Sequence, residues 1–254
     1  YMDSIGAALE YVTSLNSDDN DSNDVQIVNM SIESTSTWNT IATNINKLNS
    51  QGTIVVAAAG NSNFYTKTYP ASEKYVIGVG ALADDSSTQR ATYSNYNNPT
   101  LTEENEYLNV NLSAPGKVYA ADGGGDYIYT HGTSFASPLV AGAAALYKAK
   151  YPTKTVSDFK NDLYSSCDKH FTGNFSQYFG FGCLNVSKLL GLEQEETTQH
   201  IVIDVDEEID LPVGESLLLK AHTVPEDKEV TFSIYDDDGT IGIYKPLKNL
   251  PNQY

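Results

Sequence analysis

Ser134 sits between a small-residue turn and an apolar, alanine-rich stretch: His131-Gly-Thr-Ser-Phe-Ala-Ser-Pro138 runs directly into Leu139-Val-Ala-Gly-Ala-Ala-Ala-Leu146. A serine in the first turn of a helix faces unpaired backbone N–H groups and the positive end of the helix dipole. Those donors match the negative charge that develops on oxygen when a hydroxyl attacks a carbonyl. Pro138 fits a helix start, where intrahelical N–H donors are not needed, and Gly132 and Gly142 permit close backbone approach. The same letters also describe a buried helix with a Ser/Thr N-cap. The segment that decides lies upstream, where Thr53–Ala59 reads as a fully buried strand ending in the polar corner Gly60-Asn61-Ser62-Asn63. Asn61 is either a turn residue tolerant of unusual backbone angles or the carboxamide donor of an oxyanion site.

Together these segments make the chain from Tyr1 to Leu192 resemble the subtilisin-like serine proteases (subtilases), in the family's own order. Val28-Asn-Met-Ser31-Ile32 is similar to the strand that pairs with substrate, and Ala57-Ala-Ala-Gly-Asn61 to the oxyanion segment. Tyr69-Pro-Ala71 with Val76-Ile-Gly-Val-Gly-Ala81 is similar to the strand flanking the primary specificity pocket. Gln89-Arg-Ala-Thr-Tyr-Ser94 and Ser113-Ala-Pro-Gly116 follow; Gly132-Thr-Ser134-Phe-Ala-Ser-Pro138 is similar to the nucleophile motif. Tyr178-Phe-Gly-Phe-Gly182 with Leu184-Asn185-Val186 is similar to the closing hairpin.

The resemblance implies an endopeptidase acting on proteins or peptides through an acyl-enzyme, with Ser134 as nucleophile and Asn61 as oxyanion donor. It implies a substrate-binding set of Ser31, Ile32, Glu33, Ala58, Gly60, Thr68 and Thr133, with Ser31-Ile32-Glu33 pairing to the substrate backbone as an added strand. Thr68 falls at the expected pocket floor and, being small and neutral, does not indicate strict Arg/Lys selection. Glu33-Ser34 stand where the family often has Gly-Gly, and the Glu33 carboxylate either favours basic substrate residues or simply faces water. A weak cation site of backbone carbonyls maps to Ala71, Glu73 and Val76, which makes structural calcium an implied cofactor.

One departure bears on catalysis. The family's aspartate motif and its His-Gly-Thr helix motif precede the first matched segment, so the acid and base are expected in a missing N-terminal part of the same domain, itself a required partner. His131 directly precedes the nucleophile turn and is poorly placed to take the Ser134 proton, since a base must reach that oxygen and be oriented by a third group. His170, with Asp168 nearby, and His200 and His222 further on do not fill the role. The fragment alone is therefore expected to be inactive. Two rival readings remain. One is a non-catalytic pseudoprotease or surface binding module. The other is an α/β-hydrolase esterase, because Gly132-Thr-Ser-Phe-Ala136 is one residue from G-x-S-x-G.

The elements that must position these residues alternate between helix and strand. Ile5, Ala8, Leu9, Val12 and Leu15 predict one amphipathic helix; Trp38, Ile41, Ala42, Ile45 and Leu48 predict a second, ending at Gly52. Val25–Met30, Thr53–Ala59 and Tyr75–Val79 read as strands, Asn97–Asn109 as a polar, acidic surface loop, and Lys117–Ala121 with Tyr127–Thr130 as a hairpin leading to the nucleophile. This alternation predicts an α/β fold, a parallel-sheet subtilisin-like three-layer domain over residues 1–192, incomplete at its N-terminus. Asp18–Asp24 lacks the spacing of a calcium loop and reads as a solvated insertion. Residues 193–199 read as a linker. After it, His200–Val205, Ser216–Thr223 and Glu229–Tyr235 alternate as strands of a small all-β segment, 200–254, which resembles bacterial immunoglobulin-like domains. Cys167, at the end of a helix Val156–Ser166, and Cys183 either form a disulfide or are separate core residues.

Composition narrows the class. With 15 Lys and Arg against 33 Asp and Glu the formal charge is −18, which argues against nucleic-acid binding and favours a secreted or cell-surface protein. No stretch is long and apolar enough to span a membrane.

Overall fold

The computed structural model describes residues 2–17, 24–83, 86–100 and 107–192, and beyond them the backbone of four short strands. Two compact units are present, Tyr1–Leu192 and Glu193–Tyr254. The first runs α1 (Met2–Leu15), β1 (Ile27–Met30), α2 (Asn39–Ser50), β2 (Ile54–Ala58), β3 (Val76–Ala83), β4 (Ser86–Arg90) and β5 (Leu112–Pro115). It continues with β6 (Lys117–Ala121), β7 (Tyr127–His131), α3 (Thr133–Lys150), α4 (Val156–Ser166) and α5 (Val186–Leu189).

The central sheet is mostly parallel. β1 pairs with β2, β2 with β3 and β3 with β5, all parallel, while β4 turns back antiparallel on β3. Every residue of β2 is buried, as a strand covered on both faces requires. Ile54 and Val56 point to a cluster with Val140, Ala144, Tyr147, Phe159 and Leu163 of α3 and α4. Val55 and Ala57 point the other way, to Leu9, Ile41, Ile45 and Leu48 of α1 and α2. Three layers result, and α3 crosses β1, β2, β3 and β5 on one face. The unit is a mixed, mostly parallel α/β domain.

Several expectations shift in detail. On α1, Ala8 is exposed and Gly6 is buried instead, because α2 approaches there: a Cβ on Gly6 would lie 3.1 Å from Thr40 Cγ2. β3 extends to Ala83, beyond the expected Val79, because its second half gains β4 and β5 as partners. The ends of the expected surface loop are not at the surface. Asn97 and Asn109 are buried. Asn97 Nδ2 donates to Val110 O at 2.7 Å and Val110 N–H returns to Asn97 Oδ1 at 3.0 Å, so a carboxamide completes what a strand ladder would. Residues 101–106, like 18–23 of the acidic insertion, lie outside the described residues. The hairpin of β6 and β7 and the helix α4 occur where expected, α4 closed by a Thr155–Asp158 capping box. Cys167 and Cys183 are both buried and are not joined in a disulfide; burial pushes their thiols up to about 12 and about 11.

In the second unit, β8 (His200–Asp204) pairs antiparallel with β9 (Lys220–Val224), and β10 (Ile234–Tyr235) with β11 (Ile241–Gly242). The rest of the three expected strands lies outside the described residues. Two separate ladders are described where an immunoglobulin-like sandwich has about seven strands, so the described backbone does not define that fold.

Candidate active site

Two glycines bring β2 and α3 together. After β2 the backbone turns at Gly60 with φ of 105°, and α3 begins after Gly132 with φ of 150°, both conformations that side chains other than hydrogen disfavour. At Gly60 a Cβ would also sit 1.5 Å from Glu33 Oε2 and 2.3 Å from Asn95 Nδ2.

A short chain of hydrogen bonds locks the corner to the helix. Gly60 N–H donates to Thr133 Oγ1 at 3.0 Å; the Thr133 hydroxyl donates to Asn61 Oδ1 at 3.0 Å, and the Thr133 backbone N–H donates to the same oxygen at 2.9 Å. A backbone N–H can only donate, so the carboxamide oxygen must face α3 and the NH2 end is left to donate elsewhere. The Asn61 backbone N–H donates to Glu33 Oε2 at 3.0 Å. Asn95 braces the corner from behind: its Oδ1 accepts from Ser62 N–H and Phe64 N–H at 3.0 Å each, and its Nδ2 donates to Ala59 O at 2.9 Å. Arg90 holds the far side, donating to Asn63 Oδ1 at 2.8 Å beneath the rings of Tyr96 and Tyr178. Burial lowers the Arg90 pKa, and the two tyrosines oppose that shift.

Ser134 lies in the first turn of α3, half-buried, and its hydroxyl donates to Ser31 O at 3.4 Å. Pro138 lies beyond that turn, contrary to expectation. An ordinary residue there would donate to the Ser134 carbonyl four positions back, and proline cannot. The Ser31 hydroxyl takes over, donating to Ser134 O at 2.8 Å while lying 3.2 Å from Ser137 Oγ. The segment that follows β1 is thus tied to the Ser134 carbonyl. Its far end is pinned by a bridge in which Ser34 and Tyr69 exchange two backbone hydrogen bonds of 2.8 Å.

A cavity of about 230 Å3 is lined by Ser31, Ile32, Glu33, Ala58, Gly60, Asn61, Thr133 and Ser134. The structure thus gathers every expected site residue except Thr68. Thr68 is buried behind the corner, its hydroxyl donating to Ala59 O at 2.7 Å and its N–H to Asn109 Oδ1 at 2.9 Å. A larger cavity of about 540 Å3 between the ends of α2 and α4 holds lysines but no nucleophile beside an oxyanion donor, and the chemistry points to the smaller one. Sequence reasoning missed the orienting role of Thr133 and the bracing role of Asn95; only their three-dimensional contacts reveal them.

Ser134 has no base within reach among the described residues. His131 is exposed and packs its ring against Tyr93, 5.2 Å between centroids; His170 is exposed in the loop after α4. Among the described residues no group of three His, Cys, Asp or Glu is arranged to hold a metal ion, and Glu73 O of the implied carbonyl site accepts from Val76 N–H at 3.2 Å.

A mostly parallel α/β sheet that delivers an asparagine amide and a helix-N-terminal serine to one cavity defines a subtilisin-like architecture. The chain belongs to the subtilase family, whose family model, described as Subtilase family (Peptidase_S8), matches residues 1–182. It is 37% identical over 169 residues to Subtilisin DY of Bacillus licheniformis, covering 65% of this chain and 56% of that one. It is 38% identical over 142 residues to the Thermostable alkaline protease of Halalkalibacterium halodurans, covering 56% of this chain and 36% of that one. The chain thus spans roughly half or less of the length of these two relatives. Among solved structures, an S41 Psychrophilic Protease superimposes with a TM-score of 0.64 at 27% identity, over 73% of this chain and 64% of that one. A protease from Pseudoalteromonas arctica PAMC 21717 gives 0.61 at 26% identity, over 76% of this chain and 59% of that one. With the family established, the esterase reading falls away.

Proposed function

We propose that this chain carries the nucleophile and oxyanion half of a serine endopeptidase. Ser134 Oγ attacks the scissile carbonyl of a peptide lying along Ser31–Glu33. The oxygen that becomes negative is stabilised by Asn61 Nδ2 and the Ser134 backbone N–H, and the amine leaves to give an acyl-enzyme that water then hydrolyses. The observation that carries this reading is the Thr133 clamp on Asn61 Oδ1, which turns the amide donor toward the cavity holding Ser134.

The proton acceptor and its orienting acid are supplied by a segment outside these residues. Two features support this. Among the described strands β1 is an edge, and one face of α3 (Pro138, Leu139, Gly142, Ala145 and Leu146) is apolar or small yet exposed. Membership of a family of secreted subtilisins, and the net charge of −18, support an extracellular location; among the described residues no helix is long and apolar enough to cross a membrane.

The second reading, a non-catalytic binding module, is favoured by one observation: the Ser134 hydroxyl meets only a carbonyl oxygen. The test supplies the acid- and base-bearing segment, joined or in trans, and treats the protein with a fluorophosphonate probe. Labelling lost in Ser134→Ala is expected. Labelling that survives the substitution overturns the assignment, and absence of labelling and of peptide hydrolysis in the complemented protein leaves the binding-module reading.

A further inference from the structure

Glu33 places a carboxylate at the rim of the cavity that holds Ser134 and Asn61. Its Oε2 accepts from the Asn61 backbone N–H at 3.0 Å and from Asn95 Nδ2 at 3.3 Å. Gly60 makes the room, since a Cβ there would overlap that oxygen at 1.5 Å. Both donors are neutral. Among the described residues no lysine or arginine forms an ion pair with Glu33, and its Oε1 has no hydrogen-bond partner. The side chain is exposed, so this half-satisfied anion is open to whatever enters the cavity.

The substrate carbonyl that Ser134 attacks must lie between Ser134 Oγ and the Asn61 amide. The side chain of the residue owning that carbonyl then enters the space between segment 31–33 and segment 58–61. We propose that Glu33 selects substrates with arginine or lysine at that residue, an inference that rests on the endopeptidase reading above. A cationic side chain meets Oε1 in a charge-assisted hydrogen bond, stronger than a neutral one. An acidic side chain meets a like charge and is rejected. The small, neutral Thr68, which was expected at the pocket floor, lines none of this cavity and does not oppose a cation there.

The experiment compares two peptides that differ only in arginine or citrulline before the scissile bond, a nearly isosteric exchange of charged for neutral. In the complemented protein kcat/KM is expected to favour arginine by about tenfold, with the preference shrinking as ionic strength rises. In Glu33→Gln the arginine-to-citrulline ratio should fall to near one; using a ratio cancels general damage to the site. The salt dependence of the unsubstituted protein gives a second readout if Glu33→Gln folds poorly. A ratio near one in the unsubstituted protein, or a ratio unchanged by Glu33→Gln, overturns the inference while leaving Ser134 labelling intact. Loss of Ser134 labelling itself would instead sink the endopeptidase reading, and this inference with it.

Discussion

Helix α3 has two apolar faces with different surroundings. Its inner face, Ala136, Val140, Ala143, Ala144 and Tyr147, is packed against the sheet and is almost fully buried. Its outer face carries Leu139 and Leu146, the latter 54% exposed, with Pro138 before them and Gly142 and Ala145 between them. A helix that is apolar all round belongs in an interior. The inner face explains how the chain holds Ser134 at the end of a rigid element. The outer face leaves the same element bare on its other side, and it is the surface on which the proposed acid- and base-bearing segment would pack.

The comparison can be broken first at the site that the inner face positions. Asn61→Ala in the complemented protein should lower kcat by about a hundredfold or more with little change in KM, a magnitude known for an oxyanion asparagine of a subtilisin, a relative of this chain. A loss confined to KM would mean that the clamp from Thr133 aims the amide at something other than the developing charge.

The two faces themselves come next. Val140→Ala on the inner face removes two methyl groups from a fully buried position and should cost about 2 kcal/mol in urea unfolding, whether or not the complementing segment is present. Leu146→Ala on the outer face should cost under about 0.5 kcal/mol in the chain alone. It should rise to about 2 kcal/mol once the segment is added. Equal costs for Leu146→Ala with and without the segment would remove the outer face as its docking surface.

A last prediction concerns the junction where α4 meets the chain leading into β3. Burial pushes the Lys160 ammonium down to about 8, and it donates to Tyr75 O at 2.9 Å. Its folded pKa lies below the unfolded value of about 10.4. Between those values the unfolded chain binds more protons, so this group adds stability as pH rises from about 8 to about 10. Over that range the unsubstituted protein should gain urea midpoint relative to Lys160→Met. Taking the difference between the two proteins matters, because the raised thiols of Cys167 and Cys183 act in the opposite sense.

What was legible in the sequence divides along physical lines. Strand β2, helices α2 and α4 and the β6–β7 hairpin follow from apolar periodicity and local turn chemistry, which are properties of neighbouring residues. That Ser134 and Asn61 line one cavity was legible because their motifs are contiguous. The roles of Thr133 and Asn95 were not, because a threonine before a serine or an asparagine after one carries no local sign of which amide it will hold. The same holds for Gly6: periodicity favoured Ala8, but the closeness of α2 made the residue without a side chain the buried one. That Thr68 does not line the cavity was not legible, because its position behind the corner depends on Asn109, a partner 41 residues away.

The proline in α3 has a consequence for inheritance. Pro138 withdraws a hydrogen-bond donor from the Ser134 carbonyl, and the Ser31 hydroxyl, 103 residues away in the chain, restores it. The two positions therefore behave as a single trait. Losing Ser31 strands the carbonyl only while residue 138 is proline. A residue with an N–H at 138 would satisfy the Ser134 carbonyl without Ser31, so the order in which the two substitutions arise decides whether the lineage passes through a form with that carbonyl unpaired.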